Sequence, residues 1–314
     1  MDAPNTQFLN RDGAAEEIMG VLERWATLIE KVVNFGTKFL PVLDKSVTGR
    51  HDLSALQLAR HSLEMLDGVS ALIRQSAIKA CEPLLRSQIE ATLQVTYMLE
   101  SRAVERGLAY HVQHLHGRME WAEKSDPTTL KGKQYAAEMM KDTSMDGMTM
   151  PAIDSAPIVA SIMKQLATPE LAPIEMEWQR IRTAGSKPRR VWWYMLFGGP
   201  NSIELLAKEV KKHGWYEVLY RMFSGSSHAS NALDGIRSVK GKGLLYQPLR
   251  HPQSGPMLGT LSVSVAMHLF TVLTNHYASK SPGGFSKWYV EEIMPEFKAL
   301  QAISFTETMD GKPV

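Results

Sequence analysis

The sequence predicts an all-α protein, an irregular bundle of many helices with few or no strands. Apolar residues recur at three- and four-residue spacing over long stretches, the pattern of a helix with one buried face. Proline, glycine and Asx residues interrupt those stretches at short intervals. Convincing strand patterns are few, and no repeat of fixed period occurs. Helix therefore packs on helix, without a parallel sheet.

Residues Ala14 to Leu43 read as the first helix, with Ile18, Leu22, Trp25, Ile29, Val32 and Val33 along one side. Val47 to Asp52 is a turn, and Asp52 is placed to cap the next helix. That helix runs from Leu53 to Ile78 on Leu56, Leu63, Leu66, Val69 and Ile73. Pro83 fits the first turn of another, which reaches through Leu93 and Leu99 towards Trp121 and stops at Asp126-Pro127. Residues 126–156, with Met139, Met140, Met145, Met148 and Met150, read as a short helix followed by a flexible Met-rich insertion.

Helix returns over Pro157 to Ala184, with breaks at Pro169 and Pro173. Gly185 to Arg190 is a basic turn leading into Val191-Trp192-Trp193-Tyr194. Asn201 or Ser202 caps a helix carrying Lys208, Lys211 and Lys212, which His213-Gly214 closes. An aromatic amphipathic helix then runs from Trp215 into a set of small polar residues ending at Ala232. Leu233 to Gly255 reads as a loop, followed by an apolar helix to His276 and an amphipathic one from Phe285 to Ile303. The expectation is one helical domain over 1–314, with an N-terminal helix in 1–50 and a core in 50–280.

With 44% hydrophobic and 22% charged residues, the chain has an ordinary globular composition and can bury a core. The single cysteine, Cys81, excludes an internal disulfide and a cysteine-rich zinc module. Met1 to Asp12 lacks the basic head and apolar body of a signal peptide. Met257 to Thr274 carries Thr260, Ser262, Ser264 and His268, which favours a buried core helix over a membrane span. A cytoplasmic protein without membrane partners is expected. The net charge of +2 is unevenly spread: Trp178 to Gln253 holds 13 Lys/Arg against 4 Asp/Glu. A basic segment of this kind suits phosphate-bearing partners, unless acidic helices neutralise it.

The basic segment contains Arg221, Ser224 and His228. At about 100° per residue these fall on one helical face, provided the helix survives Gly225. A fixed cation, a hydroxyl and an imidazole on one face can hold an anion and move a proton. The plainer reading is that Arg221 and His228 close a packed helix pair. Arg86 and Glu90 are four apart in Leu84-Leu-Arg-Ser-Gln-Ile-Glu-Ala, as in an intrahelical ion pair. Their apolar setting suggests partial burial, for which the Arg221 face could supply partners.

Other chemistries are set aside: no phosphate-binding Gly-x-x-x-x-Gly-Lys-Ser/Thr, His-Glu-x-x-His or Gly-x-Ser-x-Gly occurs. His111, His114 and His116 form a metal cluster only with a carboxylate from elsewhere, because His116 points away from His111. No metal or cofactor is expected.

The Arg86-x-x-x-Glu90 helix, followed by Tyr220-Arg-Met-Phe-Ser-Gly-Ser-Ser-His228, resembles a family of uncharacterised bacterial helical proteins. That family has an Arg-x-x-x-Glu helix ahead of a Tyr-x-x-x-Ser-x-x-x-His type segment. The resemblance covers roughly residues 50 to 280 and brings no settled activity. The Arg221-to-His228 spacing is also similar to the HEPN superfamily, whose ribonuclease members carry Arg, four to six residues, then His near a helix end. Met222 departs from the polar residue that often follows their arginine.

The HEPN similarity implies a homodimer that joins two motifs into one metal-independent RNA-cleaving site, in stress or phage defence. By that analogy His228 would act as general acid or base and Arg221 would stabilise phosphate charge. Ser224 or Asn231 would orient the phosphate, with Tyr220, Arg86 and Glu90 in support. Arg189, Arg190, Lys240 and Lys242 would attract the RNA backbone. The alternatives are a non-catalytic helical module binding a nucleotide, nucleic acid or protein partner, and a small-molecule enzyme.

Overall fold

The computed structural model describes residues 16–44, 48–145, 152–185, 189–228, 230, 232–239, 243–246, 249–277 and 284–305. The fold is all-α. The helices are α1 (Glu16–Asp44), α2 (Arg50–Arg74), α3 (Ile78–Glu100), α4 (Ala103–Ser125), α5 (Leu130–Met139), α6 (Ala156–Leu166), α7 (Ala172–Arg182), α8 (Ile203–Glu209), α9 (Arg221–Ser227), α10 (Gly255–Tyr277), α11 (Gly284–Trp288) and α12 (Met294–Gln301). A π-helical turn, Trp215–Tyr220, leads into α9, and another, Tyr289–Ile293, separates α11 from α12.

Three expectations change in detail. The helix read as continuing towards Trp121 stops at Glu100, because Arg102 adopts a left-handed conformation (φ 53°) before α4 begins. Pro83 sits in the sixth position of α3, beyond the first turn. The segment read as a loop after Leu233 contains an antiparallel hairpin, β1 (Ile236–Val239) with β2 (Gly243–Tyr246), in the register Ile236↔Tyr246. Its Ile, Val, Leu and Tyr residues suit a strand, whereas its glycines and lysines are those of a loop.

The described residues cluster into two compact units. The first comprises Met1–Thr48, Ala55–Ser101 and Ile203–Val314. There α10 lies along α3 and α1. A Cβ at Gly259 would come within 2.5 Å of the Trp25 ring, so α1 and α10 approach too closely for a side chain at that point. Trp25 in turn meets Phe297 edge-on at 6.0 Å. Gln88 on α3 donates to the Ser262 carbonyl of α10 at 3.1 Å, placing a polar tie inside an apolar interface. The α10 helix is long and apolar enough to cross a membrane, and half of its most apolar window is buried within the protein.

The second unit comprises Gly49–Ser54 and Arg102–Ser202. Here α4 is the central element, contacting α5, α6, α7 and the 3-10 turn Trp193–Gly198. Gly107 allows the backbone of His51 to pass so close that a Cβ would lie 2.4 Å from its carbonyl oxygen. Ser54 Oγ donates to the Gly107 carbonyl at the same crossing, at 2.8 Å. The Asp126 carboxylate gathers the backbone N–H and hydroxyl groups of both Thr128 and Ser155, which closes the α4–α5 turn onto the start of α6.

Candidate functional site

The first unit brings α3 against the π-turn and α9. On α3, Leu85, Ile89 and Leu93 are fully buried, while Glu82, Arg86 and Glu90 recur every fourth residue and form a half-buried polar stripe. Four-residue spacing keeps these three on one helical face. Tyr220, at the end of the π-turn, reaches that stripe. Arg86 Nη2 donates to the Tyr220 hydroxyl at 2.8 Å, and the hydroxyl donates to Glu90 Oε2 at 3.1 Å. The Arg86 guanidinium also lies over the Tyr220 ring, with Cζ 4.4 Å from the centroid.

The partner of Arg86 and Glu90 is therefore a phenol bridging cation and carboxylate. Burial, and then the Glu90 charge, push the Tyr220 hydroxyl up to about 12 against the opposing pull of Arg86. It stays protonated and can donate and accept at once. Arg86 Nε is buried with no hydrogen-bond partner among the described residues. One turn back along α3, Glu82 accepts from Ser226 Oγ and pairs with Lys79 at 3.0 Å. The polar stripe thus grips both ends of the segment between Tyr220 and Ser226.

That segment is where the π-turn matters. The Arg221 N–H bonds to the Tyr216 carbonyl, five residues back, so the turn is wider than an α-helical one. Tyr216 and Tyr220 stack there with centroids 5.2 Å apart. Helix α9 then runs unbroken through Gly225 to Ser227, and His228 is its C-cap, its N–H on the Ser224 carbonyl at 3.2 Å. Arg221 and His228 are exposed, and Ser224 is half-buried. Arg221 leaves the Arg86–Tyr220–Glu90 cluster and donates to Glu217 Oε2 at 3.0 Å.

The remaining sequence-based candidates divide by location. Arg189 and Arg190 are exposed residues of the second unit: Arg189 Nε donates to the Ile181 carbonyl at 3.1 Å, and Arg190 lies over Trp192. Asn231, Lys240 and Lys242 lie outside the described residues. His116 Nε2 donates to Glu175 Oε2 at 2.7 Å, and its ring stacks on Trp178. Among the described residues, no group of three or more His, Cys, Asp or Glu is disposed to hold a metal ion.

Residues 52–242 match the profile of a family of unknown function, DUF5677. The chain belongs to that family. The matched span runs from α2 to the end of β1 and includes Arg86, Glu90, Tyr220, Arg221, Ser224 and His228. No curated protein and no solved structure matches this DUF5677 chain. Tyr220 and its two α3 partners thus lie within the part of the chain that the family shares.

Proposed function

We propose that this DUF5677 protein is a HEPN-like, metal-independent, RNA-directed nuclease, with Arg221 and His228 as its reacting pair. The observation that carries the reading is the exposure of both residues on a short helix anchored from behind by Tyr220 and Ser226. A pair that merely closed a helix packing would be buried and fully hydrogen-bonded. The ion pair of Arg221 with Glu217 is no obstacle. An exposed i,i+4 pair is worth about 0.3–0.5 kcal/mol, which a phosphate readily outbids in a dry contact.

In the proposed step, His228 takes the proton of an RNA 2′-hydroxyl as that oxygen attacks the adjacent phosphorus. The P–O5′ bond breaks, leaving a 2′,3′-cyclic phosphate, and the departing 5′ oxygen takes up a proton. Arg221 balances the charge that gathers on the non-bridging oxygens, and Ser224 orients them. A second copy of the motif in a homodimer would supply the acid for the leaving oxygen.

A second reading draws on the orphan Arg86 Nε. That buried donor is one that an anionic group of a nucleotide or protein partner could satisfy, which would make the chain a binding module.

The test is cleavage of a varied RNA panel with a chelator present, comparing wild type with His228→Ala and Arg221→Ala. Both side chains are exposed, so the variants should fold, which circular dichroism checks. The nuclease reading expects cleavage by wild type and a loss of about a hundredfold or more in each variant. No cleavage of any RNA by wild type, or undiminished cleavage by His228→Ala, removes it.

A further inference from the structure

The second unit contains a cleft of about 1260 Å³ that the Arg221–His228 reading leaves unused. Its walls come from α4, α7, Lys131 of α5, Ile153, Ile158 of α6 and the segment around Arg189–Trp192. Four arginines line it: Arg118, Arg182, Arg189 and Arg190. The two glutamates in the lining are already engaged, Glu120 by Lys124 at 2.7 Å and Glu123 by Lys131. Among the described residues, no carboxylate comes within 4.0 Å of a nitrogen of those four arginines. The cleft therefore keeps a net positive lining.

Aromatic planes are interleaved with that charge. Trp121 is 58% exposed at the cleft, with Tyr135 edge-on to it at 6.1 Å. Across the lining, Arg190 lies 4.2 Å over Trp192, which is parallel to Tyr194 with centroids 6.2 Å apart. Tyr194 is buried, so this stack is rooted in the unit's core and Arg190 is its exposed member. A single exposed tryptophan is ordinary on a protein surface. A tryptophan and a guanidinium-capped tryptophan around four arginines, none in a direct ion pair, form a different object, with planes for bases and cations for phosphates.

Size favours a strand over a single nucleotide. Pockets for single small molecules span about 300–1000 Å³, and this cleft exceeds that range. Paired bases in a duplex are stacked on each other and cannot splay onto side chains. We propose that this cleft binds single-stranded nucleic acid. Bases stack on Trp121 and on the Arg190–Trp192 pair, while Arg118, Arg182 and Arg189 hold the backbone. The proposal goes beyond the cleavage reading and needs neither Arg221 nor His228.

The test is fluorescence anisotropy of the full chain with labelled oligomers of about ten nucleotides. One strand is an uncleavable 2′-O-methyl RNA, one is single-stranded DNA, and one is a duplex of equal length. Wild type should bind a single strand more tightly than the duplex. A preference for the RNA strand identifies RNA as the source, and equal binding of RNA and DNA identifies single strands in general. Trp121→Ala and Arg190→Ala should each weaken binding roughly fivefold or more, with Trp121→Phe restoring it. Arg189→Ala should lower the slope of log affinity against log salt by about one.

Lys298→Ala, an exposed change in the other unit, should bind as wild type. All of these side chains are exposed, so unchanged melting temperatures confirm folding. Failure of wild type to bind either strand, or unchanged binding by both Trp121→Ala and Arg190→Ala, overturns the proposal. Binding without cleavage keeps the cleft and removes the nuclease; cleavage with unchanged binding by the cleft variants does the reverse.

Discussion

Arg86 and Tyr220, separated by 134 residues in sequence, meet twice: the guanidinium lies 4.4 Å over the phenol ring and donates to its hydroxyl at 2.8 Å. The hydroxyl passes a hydrogen bond on to Glu90, so one side chain from the π-turn bridges a cation and a carboxylate on α3. Removing the phenol oxygen leaves both half-buried charges short of a partner.

Tyr220→Phe is therefore expected to lower stability by about 2 kcal/mol, within the range for hydrogen bonds to charged groups. Urea unfolding checks this: the midpoint should fall while the slope stays constant, because the surface exposed on unfolding is unchanged. An unaltered midpoint would mean that water replaces the hydroxyl without loss.

Glu217 holds Arg221 through an exposed ion pair at 3.0 Å. Glu217→Gln releases the guanidinium and removes a negative charge next to the proposed phosphate site. RNA binding is expected to tighten about two- to fivefold, on the scale of a surface ion pair. The gain should shrink as salt is raised, as screening requires. Titration of an uncleavable RNA at two salt concentrations measures it, and equal affinities for wild type and variant would place the phosphate elsewhere.

Much of this architecture was legible in the sequence. Long amphipathic runs such as Ile18–Val33 gave α1 because one face had to be buried, and the apolar run at Met257–Thr274 gave α10. The pairing of the Arg86–Glu90 helix with the Tyr220 segment was also readable, since a polar pair set among Leu85, Ile89 and Leu93 needs partners. Which residue would answer was not. The π-turn adds a residue to one helical turn, so an ideal 100° wheel does not show Tyr220 facing α3, although four-residue spacing does set Arg221 beside Glu217. The left-handed Arg102 that ends α3 leaves no glycine or proline as a signal. The cleft in the second unit was half visible in Arg189–Trp192, but Trp121 and Arg118 join it through tertiary contacts that no local spacing reveals.

His268 supplies a pH-dependent contribution to stability. It sits between Thr96, whose hydroxyl is 3.3 Å from Nε2, and the ring of Trp215, centred 5.2 Å away. Burial, with the Lys212 charge second, lowers its pKa from 6.5 to about 4. The folded value lies below the unfolded one, so the unfolded chain takes up the proton first as pH falls. Stability fully present above pH 6.5 is lost progressively between 6.5 and 4. Partial exposure trims the effect to about 2 kcal/mol. Urea midpoints at about pH 7 and about pH 5 should fall further for wild type than for His268→Gln. Burial also lowers the pKa of His111, which titrates in both proteins, so the difference between them isolates His268. Parallel pH profiles would contradict the assignment.

The central claim is that Arg221 and His228 cut RNA without a metal, and the chemistry of the product ends tests it most directly. RNA incubated with wild type in chelator should yield fragments ending in a 2′,3′-cyclic phosphate, readable by mass spectrometry, and a folded His228→Ala should yield none. Intact RNA from wild type, or the same cyclic ends from His228→Ala, would contradict the claim and leave the helix at Arg221 as a binding surface.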